Sequence, residues 1–323
     1  MMDNVIVTVY CTTYNHARYI RDALEGFISQ KTNFLFEVLV HDDASTDETA
    51  SIIKEYEKKY PTIIKGIYQD ENIYSKNINR TYEYMLPRTH GKYIAFCEGD
   101  DYWCDPNKLQ SQYDYMETHP ECSLVAHKAL KQYSNGKKVK YTNYRFIENS
   151  CITVEEIVDN LALFPFNSMF FRSEFYRKNE KFLKQHQTFD YLLKIMLAFE
   201  GTVYVIPKTM SVYRVCSVGS WTERVGNNSN KLIEHEEKAI CSLTDLDQYN
   251  NYQYHNILEA NIIKRKYHIE ELKGNYHELK KKSYINIYRK QSIKYRILIK
   301  IKGDWPWFYK EMRKIYYIVC RKK

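Results

Sequence analysis

The chain has 323 residues, 44% of them apolar, with 48 Lys/Arg against 40 Asp/Glu for a formal charge of +8. That length accommodates one large domain with an appendage, or two domains, and the composition is that of a folded protein rather than a disordered one. No apolar run approaches the ~18 residues of a membrane-spanning helix, and no signal-like region precedes the strand-like Val5–Tyr10, so a cytoplasmic chain is expected.

Eight cysteines (11, 97, 104, 122, 151, 216, 241 and 320) are scattered without a C-x-x-C pair, the pattern of reduced, packed thiols rather than of a disulfide frame or a zinc site. The charge is divided. Residues 264–323 carry 19 Lys/Arg against 5 Asp/Glu, net +14, while the remaining residues carry a net of −6. The basic character belongs to the tail.

In chain order, Val5–Tyr10 reads as a strand and Ala17–Gln30 as a helix with Ile20, Leu24, Phe27 and Ile28 on one face. Phe36–His41 is a second strand. Ser45, Thr46, Asp47 and Glu48 then offer caps for a helix to about Lys59. Ile63–Tyr68 is a third strand, Ser75–Leu86 a helix, Tyr93–Glu98 a fourth strand, and Pro106 sits where a first helical turn tolerates proline. Strands alternating with helices of about 10–15 residues predict an α/β domain with a mostly parallel sheet covered on both faces.

Beyond Pro120 the order changes. Ser123–His127 is a strand, followed by a polar stretch to Ser150, an apolar run Phe164–Phe171, a helix Thr188–Phe199 and a strand Thr202–Ile206. Helical patterning dominates from Ser229. The expected division is an α/β domain over 1–228 and a basic helical extension over 229–323.

The most informative run is Glu98-Gly99-Asp100-Asp101-Tyr102-Trp103, which places three carboxylates directly after a buried strand. Acids at a strand's carboxyl end face the crevice where open α/β sheets bind ligands. Three adjacent carboxylates repel one another unless a cation sits among them, and oxygen ligands suit Mg²⁺ or Mn²⁺. The alternative is a solvated acidic turn. A second acidic strand end, His41-Asp42-Asp43, favours the cation. No G-x-G-x-x-G follows the first strand and no G-x-x-x-x-G-K-[ST] occurs, which sets aside a nicotinamide-binding domain and a P-loop. At the first strand end, Thr12, Tyr14 and Asn15 offer a hydroxyl, a ring and an amide to a nucleobase. Asn15 could equally cap a helix. Asp43 could take a base N–H or a ribose hydroxyl.

Thr12-Thr13-Tyr14-Asn15, Asp42-Asp43-Ala44-Ser45-Thr46-Asp47 and Glu98-Gly99-Asp100-Asp101-Tyr102-Trp103, in that order, resemble the motifs of the family 2 glycosyltransferases, over roughly residues 3–225. The resemblance implies a GT-A fold and a nucleoside-diphosphate sugar donor, usually a UDP-sugar. It implies Thr12, Tyr14 and Asp43 on the base, Asp101 as the metal ligand, and Asp100 facing the ribose or a metal-bound water. The chain has Glu-Gly-Asp-Asp in place of a strict Asp-x-Asp, so the match leaves the division of labour among Glu98, Asp100 and Asp101 open. Asp190, in Thr188-Phe189-Asp190-Tyr191, resembles the family's later acidic position and is the expected general base; a helix N-terminus keeps it ionised. Tyr213-Arg214 to Gly219-Ser220-Trp221 resembles the segment that closes over substrate, with Gly219 as hinge, Arg214 on phosphate and Trp221 on a sugar face. His127 reads as a buried, hydrogen-bonded histidine.

The expected activity is thus an inverting, Mn²⁺- or Mg²⁺-dependent transfer from a nucleoside-diphosphate sugar to a hydroxyl of a glycan or lipid-linked acceptor, in cell-surface polysaccharide synthesis. The alternatives are a sugar nucleotidyltransferase, or a nucleic-acid- or membrane-binding protein without catalysis. Nucleic acid is not expected, because the strand-end acids would repel phosphate unless metal-bound. For the tail two readings stand. Its lysines and arginines alternate with Ile, Leu and Tyr and lead into Trp305-Pro306-Trp307-Phe308, so residues 264–323 either lie on the anionic inner face of the plasma membrane or form a packed subdomain with solvated lysines.

Overall fold

A computed structural model describes residues 5–76, 78–142, 151–160, 162–186, 190–215, 228–309 and 311–312. The chain divides into two compact units, residues 1–224 and 225–323.

The first unit begins β1 (Val5–Thr13), α1 (Ile20–Ile28), β2 (Leu35–Asp42), α2 (Thr49–Lys59), β3 (Ile64–Tyr68) and β4 (Tyr93–Phe96). β1 lies in the middle, parallel to β2 on one side and to β4 on the other, with β3 parallel beyond β2. Both faces of β1 are covered: Val7, Val9 and Cys11 on one and Thr8 and Tyr10 on the other are buried. A near-continuous buried run is what a two-sided parallel sheet demands. α1 packs Ile20, Ala23, Leu24 and Phe27 inward, a stripe at helical spacing. It also turns Gly26 onto the backbone of Trp103, where an added Cβ would stand 2.9 Å from the Trp103 carbonyl oxygen. Only glycine lets the helix sit so close to the strand that follows the acidic turn.

Next come β5 (Tyr102–Trp103), α3 (Lys108–Thr118), β6 (Cys122–Gln132), β7 (Lys138–Lys140), β8 (Cys151–Ile152), α4 (Val154–Asp159), β9 (Phe170–Arg172), α5 (Glu174–Lys178), α6 (Glu180–Gln185), α7 (Asp190–Glu200) and β10 (Thr202–Arg214). Among the described residues the strands form one sheet in the order β3-β2-β1-β4-β9-β6-β10-β5, with β7 on β6 and β8 on β10. The expected parallel sheet flanked by helices is therefore present. β9 joins its two parallel blocks by antiparallel pairing with both β4 and β6.

Three segments depart from the expected elements; the strand expected at Ser123–His127 runs on to Gln132, and β7 follows within the polar stretch. Ser75–Leu86 is not one helix: a 3₁₀ turn at Tyr74–Lys76 is followed by a wide, π-type turn at Thr81–Met85 and a second 3₁₀ turn at Leu86–Arg88. Asn72 takes the Ser75 N–H on its side-chain oxygen at 2.9 Å, so polar side chains compete with the helical ladder there, and Pro87 closes the segment. The strand expected at Thr202–Ile206 runs on to Arg214. Pro207 cannot donate to the ladder and marks a break in register with β6, after which pairing resumes at Thr209. The far half of β10 then pairs antiparallel with β5, Ser211 opposite Trp103 and Val212 opposite Tyr102. This extension carries Arg214 to the acidic turn.

The second unit contains α8 (Ser229–Tyr249), α9 (His255–Lys273), α10 (Ile285–Lys290) and α11 (Ile293–Asp304). Asn228 caps α8 by accepting from the Lys231 N–H at 3.1 Å, and Ser292 caps α11 through Tyr295 N–H at 3.2 Å. Tyr267, Leu279 and Ile299 form a small core ringed by tyrosines. Among the described residues no helix is long and apolar enough to cross a membrane.

Candidate functional site

The carboxyl ends of β1, β2 and β4 are tied side by side. Asp43 N–H donates to the Thr13 carbonyl (3.0 Å), Cys97 N–H to Tyr10 (3.1 Å) and Gly99 N–H to Thr12 (2.9 Å). Gly99 is pressed against β1, so that a Cβ there would meet the Thr13 side chain at 2.7 Å. The acidic turn is thus seated directly on the first strand's end.

Beside it lies a small cleft of ≈ 60 Å³, lined among others by Thr12, Glu98, Arg80, Phe166, Tyr176 and Leu193. Leu193 lies one turn beyond the start of α7, so the cleft is bounded by the helix that Asp190 opens. The Asp190 side chain, Gly219 and Trp221 lie outside the described residues.

The three acids of the turn differ. Asp101 is buried, and both its oxygens accept from protein donors: Oδ2 from Asn167 Nδ2 at 2.8 Å and Oδ1 from the Arg214 backbone N–H at 2.7 Å. Burial, with the charges of Asp100 and Glu98, holds its carboxyl well above the usual carboxylate range. Glu98 and Asp100 are half-buried. Asn167 is itself fixed: its Oδ1 accepts from Ser211 Oγ at 2.6 Å, and its carbonyl takes the Trp103 Nε1–H at 3.0 Å.

Arg214 closes the turn from the other side. Its Nη1 donates to the Asp100 carbonyl at 2.8 Å, Nη2 pairs with Asp22, and the guanidinium lies over Tyr19 and Tyr102 at 5.1 and 4.6 Å. In this structure the residue expected on phosphate braces the metal-type turn.

At the second strand end, Asp42 accepts from Ser45 N–H and Oγ–H, and burial raises its pKa. Asp43 accepts the backbone N–H of Ile73 (2.8 Å) and of Tyr74 (3.2 Å), anchoring the loop after β3. Asn15 does not cap α1. It takes a left-handed conformation (φ 55°) and accepts from Thr46 N–H at 2.7 Å, while Ala17 N–H donates to Asp47 and His16 N–H to Thr49. The Thr-Tyr-Asn and Asp-Asp-Ala-Ser-Thr-Asp motifs therefore interlock, and Tyr14 is half-buried. His41 is buried, and burial together with Arg80 pushes its pKa down to about 4. His127 is buried, its Nδ1 2.9 Å from the Lys128 carbonyl.

Among the described residues no group of three or more acidic, His or Cys side chains is arranged to hold a metal by itself. A Mg²⁺-like ion needs no such cage, since it is commonly held by one or two carboxylates plus substrate phosphates. Burial is the larger cause of the raised Asp101 pKa; the repulsion by Asp100 and Glu98 that adds to it is what a cation at those two acids would relieve. The residues present fit the ion.

Asn167, Arg80 and Lys108 escaped the sequence reading. Asn167 was visible as a lone amide inside the apolar run Phe164–Phe171. Lys108 and Gln112 stand at i, i+4 after Trp103; the Lys108 ammonium is fully buried 3.9 Å from the Trp103 ring centre and donates to Gln112 at 2.7 Å.

Residues 8–201 match the model of glycosyl transferase family 2. An uncharacterized protein of Mycobacterium tuberculosis, Rv1520, is 34% identical over 218 residues, 67% of this chain and 60% of its own length, so the match spans about three-fifths of that relative. The Escherichia coli UDP-Glc:alpha-D-GlcNAc-diphosphoundecaprenol beta-1,3-glucosyltransferase WfaP is 33% identical over 113 residues, 35% of this chain and 42% of WfaP. The crystal structure of Staphylococcus aureus TarS 1–349 in complex with UDP-GlcNAc superimposes with a TM-score of 0.63 at 19% identity, covering 87% of this chain and 79% of that one.

Proposed function

The chain belongs to glycosyl transferase family 2, and we propose that it is an inverting, metal-dependent enzyme that moves a sugar from a UDP-sugar to a hydroxyl of a glycan or lipid-linked acceptor in cell-surface polysaccharide synthesis. Residues 1–228 are taken as the transferase domain and 229–323 as its extension. The observation that carries the reading is the acidic turn held against the end of β1 beside a cleft with Arg80 among its lining residues. The name of WfaP pairs a UDP-sugar with a diphospholipid-linked acceptor and a β product, and supports the donor, acceptor and inversion proposed here.

In this proposal Thr12 and Tyr14 contact the base, and Asp43 shapes its pocket by holding Ile73 and Tyr74. Asp100, with Glu98 beside it, holds the divalent ion; Asp101 positions Asp100 through the bonds to Asn167 and Arg214. The resemblance gives the ion to Asp101; the proposal gives it to Asp100 and Glu98 because they are half-buried at the turn while Asp101 is buried and held by Asn167 and Arg214. When bound, the ion neutralises the donor's diphosphate oxygens and so stabilises the leaving group. Arg80 adds a fixed positive charge in the same cleft. Asp190 accepts the proton of the acceptor hydroxyl while that oxygen bonds to the anomeric carbon from the face opposite the departing diphosphate. Trp221 stacks on a sugar face.

The test is incubation of the protein with radiolabelled UDP-sugars, Mn²⁺ and candidate glycan and polyprenyl-diphosphate acceptors. Released UDP together with labelled glycoside supports transfer. Released pyrophosphate would make the protein a nucleotidyltransferase instead.

A further inference from the structure

The tail's residues divide between the two readings left by the sequence. Tyr267, Leu279 and Ile299 turn inward into the second unit's core, with Tyr295 packed against them. Around α11 the opposite holds: Ile293 is 67% exposed and Ile297, one turn on, 54%, with Leu298 at 37%. The chain leaving α11 adds Trp305 at 51%, Trp307 at 68% and Phe308 at 40%. An α-helix places residues four apart on one face, so Ile293 and Ile297 form an outward apolar stripe while Ile299, about 160° from Ile297 around the axis, points into the core. α11 thus has two apolar faces, one packed at Ile299 and one exposed at Ile293 and Ile297.

The setting of that outward face is cationic. Residues 285–309 contain six Lys/Arg and a single acid, Asp304, which is itself within 3.4 Å of Lys280. Arg289, Lys290, Lys294 and Lys300 are exposed. Lys294 follows Ile293 and Lys300 lies three residues beyond Ile297, so at about 100° per residue the two stand on either side of the stripe.

We propose that the outward face of α11 together with Trp305, Trp307 and Phe308 docks on an anionic lipid bilayer, lying in its interface. Exposed indole rings prefer the headgroup level, where an apolar body and an N–H are both satisfied. Flanking lysines find acidic headgroups within a Debye length, and α11, about 18 Å long, is suited to lie along the surface rather than to cross it. Charge complementarity selects a bilayer over a second copy of the chain, because apposing two such faces would bring like charges together. The proposal is independent of the transfer chemistry and holds or fails without it.

Sedimentation of the full chain with phosphatidylglycerol–phosphatidylcholine vesicles, and with phosphatidylcholine vesicles alone, tests it. Binding to the anionic vesicles is expected, weakened by salt and accompanied by a blue shift of tryptophan emission. The double variant Trp305→Ala, Trp307→Ala is expected to lower the partition coefficient by about tenfold or more. Lys294→Gln and Lys300→Gln are each expected to lower binding to anionic vesicles by about fivefold. These positions lie outside the proposed transferase domain, so all variants keep the thermal shift produced by UDP if the fold is intact. No sedimentation with anionic vesicles at low salt overturns the proposal, as does wild-type binding by the tryptophan variant. A dimer in light scattering that Ile297→Glu splits, without vesicle binding by the parent, would assign the face to a second copy and overturn it equally.

Discussion

Asn167 Nδ2 donates to Asp101 Oδ2 at 2.8 Å while Ser211 Oγ donates to Asn167 Oδ1 at 2.6 Å, so the amide is locked in the one orientation that presents its N–H to the acid. Three separate segments meet there: the acidic run from Glu98 to Trp103, the turn before β9 and the far half of β10.

Asn167→Leu should therefore leave Asp101 Oδ2 and Ser211 Oγ buried without this partner. Leaving a buried polar group without its partner costs about 1–3 kcal/mol, and the loss is read as a lowered midpoint in urea. Nucleotide affinity should fall with it, because the turn loses its brace. Unchanged stability would show that Asp101 finds another donor and that Asn167 does not set the turn.

Asp190→Asn should reduce transfer by about 10²–10⁴-fold, the usual worth of a general base, with donor affinity retained. The pair of measurements is steady-state turnover and a binding isotherm for the donor. Near-normal turnover would remove Asp190 from the mechanism.

The sign of Gly26→Ala is set by competition. Alanine is favoured over glycine by about 1 kcal/mol inside a helix. Its Cβ, however, would stand 2.9 Å from the Trp103 carbonyl oxygen and 3.1 Å from the Trp103 nitrogen. These are backbone atoms that cannot swing aside, and overpacking costs about 1–3 kcal/mol. A net destabilisation is expected by thermal denaturation, with weaker nucleotide binding as α1 is pushed from β5.

Burial pushes the Lys108 ammonium down to about 7, and the groups facing it are Cys97, which raises it slightly, and His127, whose own pKa burial and Lys108 together depress. In the unfolded chain a lysine keeps its proton to about pH 10.4. Between about pH 7 and 10 the unfolded state therefore holds more protons at this site, and stability rises with pH by up to about 1.4 kcal/mol per unit; it is lost as pH falls towards 7 and is level below that. Buried thiols such as Cys97 titrate only when unfolded and pull the other way, but equally in parent and variant. Urea denaturation at pH 7 and pH 9 should show a slope in the parent that exceeds the slope of Lys108→Met. Equal slopes would mean that Lys108 stays charged when folded.

The β1-to-β4 half of the fold was legible because periodicity and strand-end chemistry agree there: buried β-branched runs end in Thr12, Asp42 and Glu98, each at a sheet edge facing the same side. The far half was harder to read. Pro207 hides the continuation of β10, and only non-local pairing with β6 and β5 brings Arg214 to the acidic turn. For the same reason the division of labour among the acids was invisible. Glu98, Asp100 and Asp101 are adjacent in sequence, and what separates them is burial of Asp101 by Asn167 and Arg214, 66 and 113 residues away. The motif for a basic, aromatic tail was plain, but which isoleucines face inward depended on packing.

In the proposed site Asp100 holds a divalent ion, which in turn holds a nucleoside diphosphate. Calorimetric titration of UDP into the protein with and without Mn²⁺ tests it most directly, repeated on Asp100→Asn. Binding that requires Mn²⁺ in the parent, and that in Asp100→Asn is weak and indifferent to Mn²⁺ while the melting temperature holds, is the expected result. Equal UDP affinity with and without the ion, or an Asp100→Asn isotherm matching the parent's, would contradict it.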